Sequence, residues 1–330
     1  MMILSADIGG TTSRLKITNF SGSSFLMAET IKSNSYDNDQ YNSFYEVLEE
    51  FLAKEQLRIS AVCLGVAGAV VDDQVKLTNR NWHITVKELR RYFDGAKIKL
   101  INDFVAIGYG LEFLGNESLI TLQAGVVEDL GLKAYLGAGT GLGMGFCCTN
   151  QLKQLVYSSE GGHASFAPTS REQMELLEFL VGKYQQVSIE RLLSGNGLVD
   201  LYYFMASKST VFNDSYNLEV CYNLSAEVVN NMAISGEDHC AIRAVELFVE
   251  IYGSVAGNLA LTLLPFGGLY LVGGVTNRLK SMIVEKSSLF LTSFLSKEKS
   301  TCLLKSIPVY LVVDTEVGLN GAMWYVRASL

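Results

Sequence analysis

The chain has 330 residues, 49% of them hydrophobic and 18% charged, which is enough apolar material for a large core and, on ordinary domain sizes, for about two domains. Its 34 acidic residues outnumber 26 basic ones, leaving a net charge of −8, so no basic field exists to attract nucleic acid or anionic lipid. The six cysteines (Cys63, Cys147, Cys148, Cys221, Cys240 and Cys302) show no CxxC pair and no spacing suited to zinc or a disulfide framework, and they read as reduced, mostly buried thiols.

Residues 2–7 read as a first strand that ends at Asp7, and a GGTT turn leads into a returning strand over 14–20. The opening segment carries no positive n-region, and Asp7 interrupts its apolar run, so export is not expected. Residues 41–55 place Phe44, Val47, Leu48, Phe51 and Leu52 at helical spacing, and ISAVCLGVAGAV then reads as a buried strand ending in glycines. KIKLIN is a further strand that stops at Asn102 and Asp103, where FVAIGYGLEFL continues as a helix. That polar pair stands at a strand's C-terminal end, where open α/β sheets bind ligands.

From Gly125 onward the design repeats: LKAYLGAGTGLGMGFCC is again strand, Gly/Thr turn and returning strand, which implies two similar lobes. A helix over 171–184, a helix-like stretch over 190–193, a long apolar helix over 241–264, the strand GLYLVGG and the strand IPVYLVV follow, then a short C-terminal helix. The nearly uncharged stretch 255–275 passes a first test for a membrane span, but Pro265 and five glycines fit a broken helix followed by a strand better. Domains are expected at 1–107, joined by the C-terminal helix 316–330, and at 108–315.

A phosphate group needs several N–H donors aimed at one point, and a glycine turn supplies them because no Cβ blocks the approach. DIGGTT, with Asp7, Gly9, Gly10, Thr11 and Thr12, meets this need, and GAGTG, with Gly139 and Thr140, meets it again. Neither turn carries the lysine of a P-loop or the strand-to-helix context of a dinucleotide site. Asp7 beside the first turn suits Mg²⁺, held directly or through water. VGG, with Gly273 and Gly274, offers a third close-approach strand end. Each residue also has a bland reading: Asn102 and Asp103 are good helix caps, and an acid at Glu190 complements a helix dipole.

Taken in order, DIGGTTSR, INDF, GAGTGLG, SEGGH, VSIERLLSGNGL and LVGG resemble the motifs of bacterial glucokinases, within the hexokinase, actin and heat-shock ATPase superfamily, over essentially the whole chain. The resemblance implies an α/β protein of the two-lobe actin-like ATPase (ribonuclease H-like) fold, each lobe a mixed β-sheet with flanking helices. It implies MgATP-dependent phosphorylation of the primary hydroxyl of glucose, with Asp103 as catalytic base and Asn102, Asp103, Glu160, His163 and Glu190 as sugar ligands. Gly9, Gly10, Thr11, Thr12, Gly139 and Thr140 would hold phosphates, Gly273 and Gly274 would lie near the nucleoside, and Asp7 would hold Mg²⁺.

The resemblance further implies a cytoplasmic homodimer that binds glucose and ATP and takes no zinc, since the zinc-bearing sugar kinases' CxCGxxGCxE motif is missing. One departure stands out: the first turn reads GGTT where GGTN is commoner. An aspartate with a reference pKa near 3.9 is expected to be ionised and ready at neutral pH. The rival readings are a kinase for another hexose or amino sugar, and a sugar-sensing protein of the same fold that carries out no chemistry.

Overall fold

A computed structural model describes residues 1–20, 28–53, 57–150, 153–209 and 224–330. The chain forms two compact units: Met1–Glu117 with Gln154–Ser158 and Asp314–Leu330, and Ser118–Lys153 with Ser159–Val313. A boundary after residue 107 would cut the helix Asp103–Gly110, which runs through it. The first unit continues to Glu117 because that helix packs along the C-terminal helix Val317–Ala328.

In the first unit, strands β1 (Met2–Ile8), β2 (Thr12–Phe20), β3 (Ala28–Asp37), β4 (Ala61–Val66) and β8 (Lys97–Asn102) stand in the order β3-β2-β1-β4-β8. The β1–β2 hairpin is antiparallel, whereas β4 and β8 add in parallel. Three short strands, β5 (Val70–Val71), β6 (Gln74–Lys76) and β7 (His83–Thr85), make a small separate sheet.

Because side chains alternate along a strand, the main sheet has two distinct faces. Leu4, Ala6 and Ile8 of β1 and Val62, Leu64 and Val66 of β4 share one core with Phe44, Val47, Leu48 and Phe51 of the helix Phe44–Leu52. Burying each such side chain contributes roughly 1.5–3 kcal/mol, and Ser43 caps that helix by accepting the Glu46 N–H. On the opposite face, Ile3, Ala61, Cys63 and Ile101 meet Ala106, Ala322, Met323 and Val326 of the helices Asp103–Gly110 and Val317–Ala328. Those two helices cross at glycines: a Cβ on Gly321 would lie 1.8 Å from the Ala106 carbonyl oxygen, and one on Gly110 would lie 2.0 Å from that of Val317.

The second unit repeats the opening. Strand β10 (Lys133–Ala138) turns back as β11 (Leu142–Asn150) in an antiparallel hairpin, then β13 (Gly268–Val272) and β14 (Val309–Val312) add in parallel. Strand β9 (Leu119–Gln123) closes the far edge antiparallel to β14. Most of β12 (Lys153–Ser159) groups with the first unit. The helix His239–Leu263 is long and apolar enough to cross a membrane by length and composition, but most of it is buried in this unit's core against the helices Gly195–Lys208 and Ser287–Leu295. It ends at Leu264, in the left-handed conformation just before Pro265.

Of the cysteines, Cys221 lies outside the described residues. Cys63, Cys147, Cys148, Cys240 and Cys302 are free thiols, but only Cys63 and Cys147 are buried and Cys302 is exposed. The expectation of mostly buried thiols is thus corrected: Cys148 and Cys240 are only partly buried, Cys240 at the start of the core helix His239–Leu263, and Cys302 is exposed on the short helix Thr301–Lys305.

Candidate active site

The first unit gathers Asp7, the Gly9–Thr12 turn, Asn102 and Asp103. The turn joins the Ile8↔Ser13 pair at the end of β1 and is closed by a hydrogen bond from the Gly9 N–H to the Thr12 carbonyl, 2.9 Å. Its other carbonyls are tied from outside. The Asn38 amide donates to the Gly9 oxygen at 2.9 Å, and Arg80 Nε donates to the Gly10 oxygen at 3.0 Å. Arg80 also donates to the Asn38 carbonyl at 2.8 Å, pairs with Asp39 and stacks over Trp82. With the carbonyls held this way, the N–H groups of Gly10 and Thr11 find no protein acceptor among the described residues, and Thr11 is exposed at the tip. Thr12 is half-buried and pairs with Asp37 across β2 and β3.

Alternation places Asp7 on the same face of the sheet as the helix Asp103–Gly110. Gly65 is Asp7's partner on β4, and a Cβ there would lie 3.8 Å from the Asp103 Cα and 3.0 Å from the Ala106 Cβ. Gly318, near the start of the helix Val317–Ala328, lies against Asp7 from the other side: a Cβ on it would be 3.7 Å from the Asp7 Cγ. The Arg14 guanidinium stands 3.7 Å from the Asp7 carboxylate.

Asn102 is both a cap and a bridge. Its Oδ1 accepts the Phe104 N–H at 3.0 Å and the Val105 N–H at 3.4 Å, and its Nδ2 donates to the Gly68 carbonyl at 3.3 Å. Asp103 begins the helix with a water-accessible edge.

The two carboxyls are not ordinary. Burial pushes Asp7 upward, and Arg14 only partly opposes this. Burial pushes Asp103 up to about 7, the Asp7 charge adds to the rise, and hydrogen bonds from the Phe104 and Asp103 N–H groups and from Asn102 restrain it. The expectation of an aspartate ionised as freely as in water is corrected: protein packed behind the carboxylate and a second acid beside it both oppose its charge.

The second unit gathers Glu160, His163, Glu190, Gly139, Thr140, Gly273 and Gly274. Residues 160–166 are clamped to 187–190. The Phe166 N–H donates to the Val187 carbonyl at 2.9 Å and the Ile189 N–H donates to the Ala164 carbonyl at 2.9 Å. This brings His163 Nε2 to 3.7 Å from Glu160 Oε2, and His163 Nδ1 to 3.9 Å from Glu190 Oε1. These gaps are too long for hydrogen bonds, so the imidazole and two carboxylates present open polar atoms to one place. Glu160 and His163 are exposed, and beside His163 opens a cavity of about 510 Å³ bordered by Lys183, Tyr184 and Arg191.

The turn Gly139–Thr140–Gly141 closes the β10–β11 hairpin. Its Thr140 and Gly141 N–H groups have no protein acceptor among the described residues, and Thr140 is exposed. Gly273 follows β13 at φ 101°, where a Cβ would lie 2.5 Å from the Ala138 carbonyl oxygen, so only glycine fits. Gly274 is exposed and opens the short helix Gly274–Arg278.

Sequence reasoning missed the supports. Arg80 sits within residues 78–82, TNRNW, outside every motif that marks the site. Thr276 accepts the Ala138 N–H at 3.3 Å and meets the buried Tyr252 hydroxyl at 3.0 Å. Glu190 accepts the Leu142 N–H through Oε2 at 2.9 Å. None of these partners is near its acceptor in sequence, so no local pattern marks them.

Comparison with known proteins gives a consistent result. The glucokinase family profile matches residues 4–329. A glucokinase from Nostoc sp. is 36% identical over 337 residues, covering 97% of each chain. The structure of a glucokinase from an Antarctic psychrotroph superposes with a TM-score of 0.81 at 29% identity over 99% of both chains. A ROK family glucokinase from Streptomyces griseus, in complex with glucose and AMPPNP, shares the fold at TM-score 0.66 and 20% identity, covering 99% of this chain and 100% of that one. The fold is therefore the two-lobe actin-like ATPase fold, each lobe a mixed sheet with flanking helices. A family profile matched over nearly the whole chain and a relative 36% identical over 97% of each chain agree with that fold, and the chain belongs to the glucokinase family.

Proposed function

We propose that this protein transfers the γ-phosphoryl group of ATP to the primary hydroxyl of glucose, giving glucose 6-phosphate and ADP at the start of glycolysis. The observation that carries the reading is Asp103: a carboxylate at the end of β8, with a pKa raised to about 7 by burial and by Asp7, in the same unit as a turn with unpaired amides. A group poised near the working pH is suited to take a proton. Asp103 accepts the proton of the hydroxyl as that oxygen bonds to phosphorus, and the β–γ bridging oxygen leaves with ADP.

Asn102, Asp103, Glu160, His163 and Glu190 bind the sugar. A hexose presents neighbouring hydroxyls, and carboxylates accept from two at once. A sugar lacking one of those hydroxyls leaves an acid unpaired, which penalises it. Gly9, Gly10, Thr11 and Thr12 in one unit and Gly139 and Thr140 in the other donate to phosphate oxygens, and Gly273 and Gly274 give the nucleoside close approach.

Two neighbouring carboxyls, both raised by burial and Asp103 also by the Asp7 charge, fit a divalent cation, whose charge would favour their ionised forms. Asp7, directly or through water, would hold Mg²⁺ there, which would neutralise charge on the triphosphate. The reading extends to a cytoplasmic homodimer that uses no zinc and binds neither nucleic acid nor membrane. Coupled measurement of ADP release across a hexose panel tests it. Glucose is expected to turn over fastest, and equal or better turnover of another hexose or an amino sugar would overturn the substrate assignment.

A further inference from the structure

Glu190 has two oxygens with different surroundings. Oε1 faces His163 and is open to a ligand. Oε2 is committed: it accepts the Leu142 N–H at 2.9 Å, directly after the Gly139–Gly141 turn. The approach is so close that a Cβ on Gly141 would lie 2.3 Å from Oε2 and 3.1 Å from the Glu190 Cδ. Leu142 is also engaged through its carbonyl side, since a Cβ on Gly162, inside the EGGH turn, would lie 2.1 Å from the Leu142 carbonyl oxygen.

The segment that carries Glu190 grips the turn a second time. The Gly195 N–H donates to the Gly139 carbonyl at 3.0 Å. Between these grips the segment is stiff: the Leu192 and Leu193 N–H groups donate to the Ile189 carbonyl, and Ser194 caps the helix Gly195–Lys208. A displacement of Glu190 is therefore passed to the peptide that ends the turn, and a displacement of the turn is passed back to Glu190.

We infer that Glu190 is a positioning residue for the Gly139–Gly141 turn as well as a sugar ligand, and that the Leu142 peptide couples sugar binding to nucleotide binding. The inference rests on the reading of these residues given under Proposed function. With Oε2 engaged by Leu142, Oε1 is the oxygen that faces His163 and stands open to a sugar hydroxyl. A sugar that draws on Oε1 stiffens the carboxylate, and the turn's amides are then better aimed at phosphate. Coupling of this kind is reciprocal.

The test is calorimetric binding of AMPPNP with Mg²⁺ to the full chain in the absence of sugar, with thermal melting of every variant as a fold check. Glu190→Ala removes the acceptor of the Leu142 N–H, and AMPPNP affinity is expected to fall about tenfold or more, as for loss of a hydrogen bond to a charged group. Glu190→Gln keeps an acceptor oxygen, so its AMPPNP affinity is expected to stay within about threefold of wild type while its glucose affinity drops. In the reciprocal direction, Gly141→Ala forces Oε2 aside and is expected to weaken glucose binding without nucleotide, although Gly141 is no sugar ligand.

An alanine variant that binds AMPPNP as wild type does overturns the inference and leaves the kinase reading intact. Equal losses in the alanine and glutamine variants also overturn it, because the effect would then belong to the charge and not to the hydrogen bond. Failure of wild type itself to bind AMPPNP both without and with saturating glucose sinks the kinase reading and the inference with it.

Discussion

Asp7 and Asp103 lie on one face of the first unit's sheet with the side-chain-free Gly65 between them, and the charge of the first raises the pKa of the second. In the metal-free protein, a ¹³C NMR titration is expected to give Asp103 an apparent pKa of about 7. Asp7→Asn removes the repelling charge and is expected to lower it. A value near that of an exposed aspartate in wild type would show that the pair is not coupled as described.

The same shift makes a prediction about stability. Asp103 has a folded-state pKa of about 7 against the ordinary aspartate value of 3.8, so the folded chain holds this proton more tightly than the unfolded one. Its contribution opposes folding as pH rises from about 4 through about 7, and it vanishes below that window. Asp103→Asn is therefore expected to melt higher than wild type at pH 8, with the difference shrinking toward pH 4. The same thermal melts would contradict this if the difference grew on acidification.

Arg80 braces the first turn through the Gly10 and Asn38 carbonyls. Arg80→Ala is expected to raise the KM for ATP about tenfold while changing the KM for glucose little, as befits loss of charge-assisted hydrogen bonds to the backbone. Steady-state kinetics with each substrate varied in turn checks the split.

The crossing of the helices Asp103–Gly110 and Val317–Ala328 leaves no room for a methyl group at Gly321. Gly321→Ala is expected to cost about 3 kcal/mol or more, because the obstruction is backbone and cannot rotate away. Chemical denaturation measures the loss. Surviving folded protein is expected to have low kcat, since the helix that begins at Asp103 must shift to make room.

The legible parts of this molecule were those whose chemistry is local. A strand ending in Asp7 and GGTT, a second ending in Asn102 and Asp103, and the repetition of strand, turn and strand around Gly139 are all written in consecutive residues. The strand β3 has no such signature, because among the described residues it pairs with β2 alone and it carries mostly exposed polar residues, so it shows no alternation. The helix Gly195–Lys208 begins GNG, residues of low helix propensity, and its start is marked by Ser194 as the cap. The raised pKa of Asp103 has no local signature because it depends first on burial and then on Asp7, which is distant in sequence and brought near by parallel pairing of β1, β4 and β8. Glu190 was recognisable as a sugar ligand only by resemblance, and its grip on Leu142, 48 residues away, has no sequence signature.

The assignment of Asp103 as base is tested most directly by comparing Asp103→Ala with wild type in a coupled ADP-release assay at saturating glucose and MgATP, alongside calorimetric glucose binding. Turnover is expected to fall by about 10²–10⁴ with only a modest loss of glucose affinity. Turnover within a few-fold of wild type would contradict the assignment.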